Sequence, residues 1–178
     1  PASAPASSRS LFMGASTGNM LVDDPEILDQ VFRDAPTPII THCEDTPMID
    51  AELAKARAIY GEDIPVDLHG EIRSRAACMK STELAISLAR RFDTSLHVLH
   101  ISTADELALF AAGPVMGKRI TAETCVHFLH FARPDYARLG NLIKCNPAIK
   151  EPSDRDALIR AVADDIIDVL ATDHAPHT

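Results

Sequence analysis

Four short apolar runs recur along the chain with helical patterns between them. Each brings an ionisable side chain to its carboxyl end. The runs are residues 38–42 (PIITH), 95–101 (SLHVLHI), 119–123 (RITAE) and 167–172 (IDVLAT). His42 ends the first, His100 lies near the end of the second, Glu123 ends the third and Asp173 follows the fourth. Strand-sized runs alternating with helices predict βαβ units and a parallel sheet, an α/β fold. In a parallel α/β barrel the carboxyl ends of the strands open onto one face, where active sites form. Two imidazoles and a carboxylate meeting there would suit zinc, which takes N and O ligands and keeps a position open in catalytic sites. The competing reading is that each histidine merely caps a strand or bonds to backbone. Any one histidine fits that reading, but the coincidence across strands favours a shared site.

Between the runs, the pattern predicts helices over 25–34, with Asp24 as N-cap and a proline at the first position, and over 48–60, closed by Gly61. Further helices are expected over 73–92, over 103–112 with Thr103 and Glu106 as a capping box, and over 153–163 behind Ser153. Residues 61–72 and 131–152 read as loops, and 11–13 as the close of an additional strand. Residues 1–10 (PASAPASSRS) read as disordered or a linker, leaving 11–178 as the domain. A hydrophobic fraction of 46% supports a globular core. The net charge of −9, without a Lys/Arg run, argues against nucleic acid or an anionic membrane as the main partner. No stretch approaches the ~20 apolar residues of a membrane span. The four cysteines form no CxxC pair, so reduced thiols and a cytoplasmic location are expected.

The remaining histidines divide by position. His97 and His100 are three apart, so on a regular strand they point to opposite faces. Unless a bulge intervenes, a His100 that faces the site puts His97 against the helices as a structural residue. His127 stands open between the wall of the site and a structural role. His130 reads as structural and His69 as a solvated loop residue. The segment 171–178 (ATDHAPHT) is the most specific local signal. An aspartate leaving a buried strand needs a metal or a donor, and two histidines follow within four residues. A plain strand-ending turn is the alternative.

Several stretches, in order, resemble the dihydroorotases of the amidohydrolase superfamily: LFMGASTGNMLVD (11–23), THCED (41–45), HGEIRSRAAC (69–78), LHVLHIST (96–103), ITAETCVHFL (120–129), IKCNPAIK (143–150) and IDVLATDHAPHT (167–178). The resemblance implies a distorted TIM barrel, of which this chain supplies approximately strands four to eight, with one or two zinc ions at the carboxyl-end face. It implies that His42, His100 and Asp173 are metal ligands and that Asp173 also shuttles the proton. Asn146 and His177 would bind substrate, and His127 matches the first of a paired His-His. The reaction implied is the interconversion of N-carbamoyl-L-aspartate and L-dihydroorotate in pyrimidine biosynthesis, with a homodimer or an aspartate transcarbamoylase as the protein partner. Two features depart from the pattern. No His-x-His pair occurs in the chain, and Ser10 stands where the family branch has a lysine that is carboxylated in related enzymes. These departures keep two alternatives open: an inactive dihydroorotase-like fragment or scaffold, and a cyclic amidase of the hydantoinase or allantoinase kind.

Overall fold

A computed structural model of the chain describes residues 9–12 and 24–174. Five strands, β1 (Arg9–Phe12), β2 (Ile39–His42), β3 (Leu96–Val98), β4 (Ile120–Cys125) and β5 (Val169–Ala171), form one sheet in chain order. Every neighbouring pair is parallel. All the carboxyl ends therefore lie along one rim, as the alternation predicts. Helices α1 (Pro25–Asp34), α2 (Thr46–Tyr60), α3 (His69–Ile72), α4 (Arg75–Phe92), α5 (Tyr136–Leu139) and α6 (Pro152–Ala163) occupy the connections.

The register decides which side chains meet the helices. Ile39 pairs with Leu96 and Leu96 with Ile120; one residue on, Ile40 pairs with His97 and His97 with Thr121. Alternation along a strand separates these two rows onto opposite faces. Ile39, Leu96, Val98 and Ala122 are buried with Leu28 and Phe32 of α1 and Ala85, Leu88 and Ala89 of α4. A fully buried side chain the size of Phe32 contributes roughly 2–3 kcal/mol. The opposite face carries Ile40, His42, His97, Thr121 and Glu123, so the ionisable residues sit on the side the helices leave open.

Local chemistry sets the element ends. The Asp24 carboxylate accepts from the backbone N–H of Glu26 at 2.8 Å, with Pro25 opening α1. Helix α2 starts at Thr46, two residues before the expected start, because Asp45 caps it by accepting from Met48 N–H at 3.0 Å. Ser74 caps α4 through Ala77 N–H at 3.2 Å. Helix α6 starts behind Glu151 rather than Ser153. Residues 61–72 and 131–152 are not loops throughout, since they hold α3, α5 and short 3-10 turns. The predicted helix over 103–112 is instead a 3-10 turn, Asp105–Leu109. Glu106 is drawn into the core there by hydroxyls of Thr82 and Thr103, each at 2.8 Å. Strand β1 begins at Arg9, inside the expected linker; residues 1–8 lie outside the described residues. The four cysteines form no disulfide. Among the described residues no helix is long and apolar enough to cross a membrane.

Candidate active site

His42 is the last residue of β2, and two residues on the chain places Glu44 beside it. His42 Nε2 lies 2.9 Å from Glu44 Oε2, and the Arg73 guanidinium, from the connection between α3 and α4, donates to the same oxygen. Glu44 is wholly buried. Burial alone would raise its carboxyl, but the His42 hydrogen bond and the Arg73 charge outweigh it and hold the group below the usual carboxylate range. The other ring nitrogen of His42, Nδ1, lies 3.0 Å from His100 Nε2, with the two rings edge to face. His100 is also buried, and burial followed by the nearby His42 pushes its imidazole down to about 3. A neutral imidazole is the form that binds metal.

The structure thus brings His42 and His100 together. Two nitrogens on one tetrahedral zinc at ~2.0–2.1 Å each stand roughly 3.3 Å apart. The 3.0 Å separation is within a few tenths of an ångström of that, so the pair fits as half of a zinc site. No group of three His, Cys, Asp or Glu side chains able to hold a metal ion exists among the described residues. Asp173, the expected third ligand, lies just past β5 with a positive φ of 50° and is exposed. Partial burial raises its carboxyl; His127 and His42 counter this, and Glu123 adds to it. It therefore lies within electrostatic reach of the histidines without closing on the pair. His127 follows β4 and packs on Phe128 with ring centroids 4.2 Å apart. Its Nε2 is buried and makes no hydrogen bond among the described residues, and burial lowers its imidazole. Asn146 is exposed in the stretch before α6. Its neighbour Cys145 lies within electrostatic reach of both Glu44 and Asp173. His177 lies outside the described residues.

Two expectations need correction. His97 does not face the helices: its Nδ1 lies 2.8 Å from Thr121 Oγ1 and its Nε2 3.1 Å from Glu123 Oε2, on the open face. The parity argument fails because β3 ends at Val98. Leu99 N–H then donates to Thr41 O, and His100 takes a φ of 40°, which swings its ring to His42. His69 is not a solvated loop residue; it is buried on α3, with Nε2 2.8 Å from Cys145 O. Glu44 and Arg73 escaped the sequence reading. Glu44 carried a local signal, its two-residue spacing from His42. Arg73 carried none, since its partner is 29 residues away.

No family model matches the chain. A dihydroorotase from Bacillus licheniformis is 35% identical over 148 residues, covering 79% of this chain and 32% of that protein. The chain is a relative of the dihydroorotases. An allantoinase from Streptomyces avermitilis is also similar, 32% identical over 142 residues, with 79% of this chain and 30% of that protein covered. Among solved structures, a D-hydantoinase from Thermus sp. superposes with a TM-score of 0.83 at 19% identity, over 97% of this chain and 38% of the other. These relatives and neighbours are cyclic amidohydrolases, and the structural likeness agrees with the partial barrel that the resemblance implies. The chain spans about a third of the length of the curated relatives it matches.

Proposed function

We propose that this chain forms the His42–His100 side of the active site of a zinc-dependent, dihydroorotase-like enzyme. That enzyme interconverts N-carbamoyl-L-aspartate and L-dihydroorotate in pyrimidine biosynthesis, in the cytoplasm. The observation that carries the proposal is the buried pair of imidazoles, 3.0 Å apart, at the carboxyl ends of neighbouring strands. His42 and His100 hold the zinc, with Asp173 as a third ligand. Zinc, when bound, polarises the ring carbonyl and acidifies water. Asp173 accepts a proton from the attacking water and returns it to the ring nitrogen as the carbon–nitrogen bond breaks, serving as base and then acid. Asn146 and His177 orient the substrate, His177 by donating to its carboxylate, and His127 forms part of the wall. Ser10 cannot form a carbamate, which favours one zinc over two.

The test is metal content and turnover in the same preparation. An enzyme that contains this chain with the rest of the barrel is expected to carry zinc and to hydrolyse dihydroorotate, whereas the 178-residue chain alone is expected to be deficient in activity. Asp173→Asn is expected to lose on the order of 10²–10⁴-fold in turnover while keeping its metal. Near-normal turnover in that variant would remove the role assigned to Asp173. The lack of a His-x-His pair in the sequence and the serine at position 10 favour a second reading, a catalytically silent scaffold acting through a second copy or an aspartate transcarbamoylase. Stoichiometric zinc with measurable hydrolysis excludes it. The allantoinase and hydantoinase likenesses support a third, a neutral cyclic ureide as substrate. Faster hydrolysis of dihydrouracil than of dihydroorotate would decide for it.

A further inference from the structure

We infer that Glu44 and Arg73 are positioning residues that set the tautomer and ring plane of His42. Two groups approach Glu44 Oε2. An ionised carboxylate can only accept hydrogen bonds, so both groups that approach this oxygen must donate. One is the Arg73 guanidinium, which has no acceptor and keeps its charge. The other is His42 Nε2, at 2.9 Å, which therefore carries the ring proton. The lone pair is left on Nδ1, the nitrogen that faces His100.

The anchor is stiff because all its parts are buried or nearly so. The side chains of His42, Glu44 and Arg73 are 8%, 0% and 13% exposed. Arg73 sits between α3 and α4, so it ties the end of β2 to a different part of the chain. Lys150 adds a buried positive charge within electrostatic reach of Glu44, its Nζ held by Ala148 O at 2.9 Å. A carboxylate on the far nitrogen of a ligand histidine raises the ligand's basicity and fixes its orientation, and losing such a partner typically costs 10–100-fold in metal affinity.

The consequence for metal rests on the zinc reading above, whereas the tautomer does not, so the experiment reads both. Histidine ¹⁵N resonances of the metal-free protein should show His42 as the Nε2–H tautomer. Glu44→Gln keeps an acceptor and should retain that tautomer, with zinc affinity within about tenfold of the parent. The double variant Glu44→Leu/Arg73→Met removes both charges at similar volume. It should lose the tautomer preference and bind zinc about 10–100-fold more weakly in a chelator competition. A parent His42 in the Nδ1–H form overturns the inference, and so does a double variant with an unchanged tautomer. If the parent binds no zinc, the proposed function fails while the ring assignment still stands or falls on its resonances. Should the double variant not fold, the parent and Glu44→Gln spectra decide.

Discussion

A histidine with one ring nitrogen against a carboxylate has one nitrogen left to offer, and at His42 that nitrogen meets His100. His69 uses its ring differently. Its Nε2–H donates to Cys145 O and so holds the backbone next to Asn146. Burial lowers its imidazole, the Cys145 carbonyl opposes this, and Lys144 and Arg73 add to the lowering. Well above pH 6.5, at about pH 7.5 and higher, the ring is neutral in both folded and unfolded chains and pH has little hold on it. As pH falls below that value, the unfolded chain takes up a proton that the folded chain resists. Stability then drops, by at most about 1.4 kcal/mol per pH unit for this one group, until the folded ring itself titrates. His69→Gln keeps a donor and cannot titrate. Urea denaturation at pH 7.5 and 5.5 should therefore show a smaller acid loss in the variant than in the parent; equal losses would contradict the assignment. His42 and His100 could be picked out beforehand because each closes an apolar run. The burial of His69 could not, since its partner lies 76 residues on.

Asp154 joins elements that are otherwise separate. From the first turn of α6 it accepts from Arg75 at the start of α4, from Ala104 N–H after β3 at 2.8 Å, and from Glu151 N–H at 3.1 Å. It is 1% exposed, so its removal leaves Arg75 with only its surface partner Asp105, and two N–H groups unpaired at one joint. Asp154→Ala is expected to cost about 2–3 kcal/mol, read as a lower urea midpoint with an unchanged slope. Ser74→Ala, which removes only the cap of α4, should cost about 1 kcal/mol by the same measurement. The comparison separates a tertiary joint from a local cap. Helix α1 was legible from its Asp24 cap and first-position proline, α2 from the Gly61 that ends it, and α4 from its recurring apolar face, whereas the Asp45 and Ser74 caps were not read and the starts of α2 and α4 were each missed by two residues. The segment after Thr103 had a capping-box signature and did not become an α-helix. Glu106, expected to serve only its own turn, bonds across to Thr82 on α4, and Pro114 follows the positive-φ Gly113 close behind. Such a tertiary override has no trace in local periodicity.

At the scale of the whole molecule, the alternation of strand and helix determines the order of the sheet, and the order determines the rim. Parallel neighbours in sequence order need every crossover to return to the same end, so residues that finish successive strands are delivered side by side. This is how His42 and His100, 58 residues apart, come within 3.0 Å. Which other groups join them was not legible, because the turns past the strands, with positive φ at His100 and Asp173, redirect side chains out of strand parity. The imidazole pair exists only when the sheet is formed, so zinc that binds it favours the folded state over the unfolded one. Binding of that kind stabilises by RT ln(1 + [Zn]/Kd), about 2.7 kcal/mol at one hundred times Kd. The urea midpoint of the protein should therefore rise with free zinc and return to its starting value when a chelator is added. Replacing both His42 and His100 with alanine should abolish the zinc-dependent rise. A rise that survives the double replacement would place the metal elsewhere and leave the paired imidazoles with a structural role only.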